Sequence, residues 1–399
     1  MLTVVTFDNQ APSKAYALTD VLDIEFTTAA LGGFVDATIT LGRQPGRAYL
    51  GIAYNYHTLI LAPGGEVIFE GRIHALPQSI QNGGSSTYQI TVSGYLINLN
   101  EQDTWIPAYT TATDIATIML AGISGYAPML NASSATVPAT GTSVLYKTDN
   151  TASIRAHLDT LIKYGSSGNQ ELLWQVWNNR TFYLTPRPLV TSPYYESSVR
   201  MVDSCDLGIN GDAFMTRVTV KYKTDTGVTT YTKDATSIAG VNWQSRYATT
   251  FGSSNPSASS VNLVRAPGIV DLTNEGIITD AQAQQIATTV MTRYAQNGVQ
   301  TTATHLIFRR PDAIRDYRSG AIYPLHKVRA GQWLMIRDLL GADSSLAPGQ
   351  AGIFVIATKY TMSTRSLEIT GEYGQNIEHL LSRLLSSTKA YVNLTNAVG

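Results

Sequence analysis

The sequence predicts an α+β fold, mainly β, in which two similar antiparallel β-barrels carry an inserted α+β region. Three observations predict it. Short β-rich runs separated by Gly, Pro and Asn turns fill both ends of the chain. Helical periodicity is concentrated in the middle. One strand, turn, strand and hairpin pattern occurs twice, once near each end.

The first hundred residues read as strands at Leu18–Phe26, Asp36–Leu41, Thr58–Leu61, Val67–Ile73 and Tyr88–Val92. Gly-Gly at 32–33, Pro-Gly at 45–46, Pro-Gly-Gly at 63–65 and Asn-Gly-Gly at 82–84 separate them. The pattern changes near Asp103. Thr113-Asp114 caps an apolar helix through Ile115, Ile118, Met119 and Ile123, and Pro/Ser/Thr-rich sequence follows to about Ser143. A second helix starts near Thr151, with Ile154, Leu158, Leu161 and Ile162 on one face and Gly165 just past its end. Leu172, Trp174 and Val176 then alternate, Asn178-Asn179 turns the chain, and Thr181–Leu184 returns. Strand patterning resumes with Phe214, Arg217–Lys223 and Val228–Lys233. It is interrupted by a low-complexity loop, GSSNPSASS at 252–260, and by the strongest helix, capped by Thr279 or Asp280 and bearing Ile286, Val290 and Tyr294. Strands return at 299–310, 333–338, 353–361 and 366–370, and a last helix spans about 376–390.

The repeat lies in two stretches. HTLIL, Pro-Gly-Gly, EVIFEGRI and TYQITVSGYLINL (57–99) are echoed by QWLMIRD, Pro-Gly, AGIFVIATKY and RSLEITGEYGQNI (332–377). Ile90 and Val92 answer Leu367 and Ile369, and Gly94 answers Gly371. The organisation read from this is a first barrel at 1–102, an α+β domain at 103–205, a second barrel from 206–235 and 299–375, an insertion at 236–298 with a long helix, and a C-terminal helix and tail at 376–399.

Composition narrows the function. The 399 residues include Lys+Arg 28 and Asp+Glu 29, or 14% charged, where about 25% is ordinary. The net charge of −1 argues against a strongly basic nucleic-acid binder and an acidic tail. Few charges and 22 tyrosines point to extensive protein–protein contact, although a Thr- and Tyr-rich all-β secreted protein has much the same composition. The N-terminus shows no signal-peptide pattern, and no apolar run is long enough to span a membrane, so no membrane insertion by this chain is expected. Cys205 is the only cysteine, which excludes an intrachain disulfide.

The layout resembles the tail hub proteins of bacteriophages, the group that includes contractile-tail baseplate hubs and the N-terminal hub part of siphophage tail-tip proteins. Related modules occur in secretion-system spike proteins. The residues carrying the resemblance are VIFEGRI and TYQITVSGYLINL, then NTASIRAHLDTLIKYG followed by LLWQVWNNRTFYLTPR, and the closing GQWLMIRD, GIFVIATKY and SLEITGEY. The resemblance covers nearly the whole chain by order of elements. It implies tail-tube-like barrels in a homotrimer, whose six barrels form a pseudo-hexameric ring around an open channel. Such a hub joins a sixfold tail tube to a threefold central fibre or spike. The partners implied are the tail tube protein, a distal tail protein, the fibre or spike and the tape measure protein. Phage DNA would pass through without specific binding. The expected location is the tail tip of the virion, assembled in the bacterial host cytoplasm. Unlike some relatives, the chain shows no fibre or peptidase extension and no lysozyme-like insertion, so wall digestion or receptor binding is expected of another protein.

The search for chemistry returns little. There is no Gly-x-Ser-x-Gly elbow and no Walker-type loop, and GINGD at 208–212 reads as a turn before a strand. Histidines 57, 74, 157, 305, 326 and 379 have no ligand spacing, so no metal or cofactor is expected. Glu66 and Glu70 share a strand face in principle and are the only candidates for paired-carboxylate hydrolysis; solvent or a neighbouring subunit is the other reading. Arg309 and Arg310 with the nearby Arg315, Arg318, Lys327 and Arg329 form the most basic stretch, interrupted by Asp312 and Asp316. Arg309, Arg310, Arg315 and Arg318 are the candidates for channel or intersubunit charge, and a solvated loop is the other reading. Trp174 and Trp177 should point to opposite faces, one into a core and the other toward a partner or a sugar. Ile377, Leu380, Leu381, Leu384 and Leu385 fit one helical face that docks either on its own barrel or on another chain. The expectation is a non-enzymatic hub. Its rivals are a carbohydrate-binding adhesin or receptor-binding tail protein, and a hydrolase.

Overall fold

The computed structural model describes residues 2–8, 15–42, 52–76, 78–79, 87–101, 111–146, 153–168, 170–189, 192–206, 217–234, 268–297, 304–337 and 350–373. The N-terminal module holds β1 (Thr3–Phe7), β2 (Ala15–Leu18), β3 (Val21–Ala29), β4 (Gly32–Leu41), β5 (His57–Leu61), β6 (Val67–Ala75), β7 (Gln78–Ser79) and β8 (Thr87–Gly94). Thr3–Phe7 went unread in the sequence. The run read as Leu18–Phe26 is two strands: β2 ends at Leu18, and the Asp20 carbonyl between them accepts from the Gly42 amide.

Among the described residues four α-helices follow: α1 (Ile97–Glu101), α2 (Ile115–Tyr126), α3 (Ile154–Leu161) and α4 (Asp280–Asn297). Their ends obey local chemistry. The Asp114 carboxylate accepts from the Ala116 amide at 2.8 Å, and Ser153 caps α3 through the Ala156 amide. Thr279 and Gln282 form a reciprocal capping box: the Gln282 amide donates to Thr279 Oγ1, and the Thr279 amide to Gln282 Oε1. Gly165, at φ 69°, closes the turn after α3. Between these lie β9 (Thr113–Asp114) with β10 (Ser143–Val144), and the hairpin of β11 (Leu172–Trp177) and β12 (Thr181–Pro186). The remaining strands are β13 (Tyr195–Ser198), β14 (Ser204–Asp206), β15 (Arg217–Thr224), β16 (Gly227–Asp234), β17 (Gly268–Ile277), β18 (Thr304–Phe308), β19 (Arg315–Asp316), β20 (Trp333–Arg337), β21 (Gln350–Thr361) and β22 (Ser366–Tyr373).

The ladders of the two modules repeat. In the first, the spatial order is β3-β4-β8-β6-β5, all antiparallel. In the second it is β14-β18-β22-β21-β20, again all antiparallel and visited by the chain in the same order. Local irregularities fix the alignment between them. Each central strand has a bulge, between Ile73 and Ala75 in β6 and between Val355 and Ala357 in β21. Asn55 and Gly331 both have positive φ, and each donates its amide to the residue before the bulge, Ile73 or Val355. Ile73 therefore corresponds to Val355, Ile90 to Ile369, and Ile39 to Leu306. This shifts the sequence alignment, which matched Ile90 to Leu367, by two residues. An even shift leaves every side chain on its own face, so the alternation pattern could not reveal it. The sixth strands differ: β1 lies antiparallel to β5, whereas β13 lies parallel to β20. Among the described strands, no ladder joins β2 back to β3 or β19 back to β14.

The two modules are joined edge to edge. Residues 25–29 of β3 pair antiparallel with residues 357–361 of β21. Across this seam Phe26 meets Tyr360 at 5.5 Å between ring centroids, and one buried core runs through both modules.

A second core is built from the helices, one face of the β11–β12 hairpin and the sheet β16-β15-β17. The hairpin strand β11 is buried on both faces. Leu172, Trp174 and Val176 enter the second core, while Leu173 enters the first and Trp177 packs against it. That is why LLWQVW is almost unbroken in apolar character. Gly33 permits the junction: β11 pairs parallel to β4 there, and a Cβ on Gly33 would lie 2.3 Å from the Val176 carbonyl oxygen. Residues 217–234, assigned from sequence to the second barrel, are a correction. Val218, Val220 and Tyr222 face α4 in the second core, because β15 pairs with β17 and not with the repeated strands.

Candidate functional site

The continuous sheet presents a broad polar outer face. Along β8, β4, β3, β21, β22 and β18, inward residues such as Val92, Ile39, Phe26, Tyr360, Ile369 and Leu306 are buried. The alternate positions are Gln89, Thr91 and Ser93; Asp36, Thr38 and Thr40; Asp23, Glu25 and Thr27; Lys359 and Thr361; Glu368 and Thr370; and His305. Hydrogen bonds and ion pairs knit this face within the modules and across their seam. Lys359 Nζ meets Glu25 Oε1 at 2.9 Å, Thr27 donates to Asp36, and Asp23 accepts from the amide and hydroxyl of Ser363. His305 lies 3.7 Å from Glu368. The Lys359 ammonium is held above its ordinary value by the hydrogen bond to Glu25 and by the charges of Glu25, Glu368 and Asp36. Its shift reports an acidic local field.

A pocket of about 370 Å³ opens where the two modules meet the hairpin. Trp177, Tyr194 and Tyr323 supply aromatic walls, and Glu66, Lys327 and Arg329 supply charge. Tyr194, Tyr195 and Tyr323 pack edge-on with centroids 4.9–5.9 Å apart. Burial pushes the Tyr323 hydroxyl up to about 12, so it stays protonated. The Arg329 guanidinium lies 5.0 Å from the Trp177 ring centroid and 5.2 Å from that of Phe34, and donates to Asn178 Oδ1. The sequence pattern assigns one tryptophan to a core and the other to a partner or a sugar. Trp174 is fully buried and Trp177 lines this pocket. Nothing local in the sequence joins Tyr194 to Tyr323, which come together only through the β13–β20 ladder and the loop that carries Tyr323.

Glu66 and Glu70 do not form a pair on one surface. Glu66 precedes β6, in a turn whose Ala62 amide donates to its carbonyl, and its carboxylate pairs with Lys327. Glu70 is 4% exposed. Its Oε2 accepts from the Arg180 amide, and its Oε1 lies 3.6 Å from His57 Nε2. Burial raises the Glu70 carboxyl above 4.5. The expectation that both face solvent or a neighbour is thus corrected for Glu70, which fastens the β11–β12 turn to β6.

Arg309, Arg310, Arg315 and Arg318 are each bonded within the chain through backbone or side chain. Arg309 donates its amide to Asp203, Arg310 meets Asp312 at 3.4 Å, Arg315 donates to the Gly320 carbonyl, and the Arg318 amide donates to Asp316. The leucine-bearing segment with Ile377, Leu380, Leu381, Leu384 and Leu385 lies outside the described residues, as do GINGD and the 252–260 loop. Among the described residues, no group of three His, Cys, Asp or Glu side chains is placed to hold a metal, and no helix is long and apolar enough to cross a membrane.

No family model and no curated protein sequence matches the chain. Solved structures do. A tail protein from Neisseria meningitidis MC58 superimposes with a TM-score of 0.60 at 10% identity, over 93% of this chain and 96% of that one. A tail protein of prophage MuSo2 from Shewanella oneidensis gives 0.57 at 12% identity, over 93% and 98%. The prophage tail protein gp18 from Listeria monocytogenes EGD-e gives 0.52 at 12%, over 97% and 99%. The chain shares the mainly β, α+β fold of phage-type tail proteins, along nearly the full length of each. At these identities the likeness is one of fold.

Proposed function

We propose that this chain is a structural, non-catalytic hub of a phage tail tip or baseplate. Three copies form a ring that matches a sixfold tail tube to a threefold fibre or spike. The repeated five-strand ladder carries this reading: a chain holding two like modules offers six like surfaces per trimer. The polar outer sheet face supports a DNA channel, because Thr, Ser and carboxylates give phosphates little to hold. The tail tube protein, a distal tail protein, the fibre or spike and the tape measure protein are the neighbours in this reading, and the virion tail tip is its location. Arg309, Arg310, Arg315 and Arg318 serve as intersubunit charge, and the Ile377–Leu385 segment docks on a neighbour. Native mass spectrometry of the purified protein, alone and with tail-tube extract, should show three-chain rings. Monomers under both conditions would falsify the proposal.

A second reading is carried by the pocket. Trp177, Tyr194 and Tyr323 beside Arg329 and Lys327 suit the apolar face and hydroxyls of a sugar, as a receptor-binding tail protein would need. Glycan arrays of bacterial surface polysaccharides test it. Binding lost on Trp177→Ala supports it, and blank arrays remove it.

A further inference from the structure

The seam inside one chain specifies the contact between chains. The first module offers the outer edge of β3, and the second accepts it on residues 357–361, beyond the bulge of β21. The same two edges exist again, and among the described residues no strand lies on them. Strand β14 corresponds to β3 and pairs only with β18 among the described residues. The part of β6 beyond its bulge, with β7, corresponds to residues 357–361 and, among the described residues, pairs only with β8.

We propose that β14 of one copy pairs antiparallel with the end of β6 and with β7 of the next copy, repeating between chains the β3–β21 seam within each. The proposal rests on the ring reading above. Register follows from the alignment. Ile24 lies opposite Ile39 and Cys205 opposite Leu306, so Asp206 takes the place of Glu25. Beyond each bulge the described pairs keep one register, Ala75↔Thr91, Gln78↔Tyr88 and Ser79↔Thr87 in one module and Ala357↔Thr370 to Thr361↔Ser366 in the other. Ser79 therefore takes the place of Thr361. Glu25 faces Thr361 within the chain, so Asp206 faces Ser79 of the neighbouring copy. Backbone edges left bare recruit strands, and a second copy carries the matching edge in the matching register.

The contact is head to tail, so each copy uses one edge and offers the other, and it closes only if the successive rotations return to the start. Facing Cα atoms in an antiparallel ladder lie about 4.5–5.5 Å apart, within disulfide reach. The test uses the full chain with Cys205→Ser. Ser79→Cys chains are mixed with Asp206→Cys chains, oxidised and run without reductant, after circular dichroism and melting have matched both to the parent. A two-chain band is expected from the mixture and from neither variant alone, and the double variant should give a ladder ending at three chains. Three-chain rings in native mass spectrometry without the cross-link overturn the seam and leave the ring reading standing. Monomers throughout overturn the ring itself. A cross-linked ladder running past three chains supports the seam and overturns closure.

Discussion

His57 is 7% exposed, with Nδ1 2.5 Å from the Tyr95 hydroxyl and Nε2 facing Glu70. Burial, together with the nearby Arg180 cation, lowers its value from 6.5 to about 4. An unfolded chain takes up that proton near 6.5, so between about pH 6.5 and 4 the unfolded state holds more protons. The fold must lose stability as pH falls through this window. Glu70 acts in the opposite sense, since its raised carboxyl keeps its proton in the folded state. His57→Asn keeps a polar group toward Tyr95 and removes the titration. Its melting temperature should therefore drop less than the parent's between pH 7 and pH 5. Equal drops in the two proteins would show that His57 does not set the acid limit.

The β11–β12 hairpin is where elements decide the architecture. Its strand β11 touches both cores and joins β4 at Gly33, a residue at φ 81° with no room for a side chain. Gly33→Ala imposes the backbone strain of about 1–3 kcal/mol plus a clash with the Val176 carbonyl. Urea unfolding followed by tryptophan emission should show an earlier midpoint, or a separate early transition as the hairpin leaves β4. An unchanged midpoint would mean that the junction carries no stability. Sequence pattern supplied α2, α3, α4, the hairpin and most strands, because caps such as Asp114 and Thr279 and alternating pairs such as Ile90 and Val92 act within a few residues. It could not supply partners. Residues 217–234 alternate like a barrel strand whichever sheet they join, and only the long-range pairing to 268–277 gives them to the second core. The pocket was half visible for the same reason: Trp177 stood out by its spacing from Trp174, while Tyr194 and Tyr323 meet through distant strands.

Across the molecule, charge is sparse and uneven. The outer sheet face sets Asp23, Glu25, Asp36 and Glu368 against Lys359 and His305. If phosphates are to slide past it, its acidity is functional and its reversal should be felt. A Glu25→Lys, Asp36→Lys and Glu368→Lys variant should bind duplex DNA at low salt, with affinity falling steeply as salt rises, while the parent does not bind. Fluorescence anisotropy over a salt series reads this directly. Equal behaviour of the two proteins would put the face away from any nucleic acid.

The connection from β3 to β4 is only Ala30 and Leu31, whereas the corresponding connection from β14 to β18 spans residues 207–303 and houses β15, β16, β17 and α4. The two halves share a ladder and differ in what one hairpin tip carries. In a closed assembly of three, such an outgrowth recurs at every second station. The same polypeptide then shows an even circumference to one neighbour and an alternating one to the other.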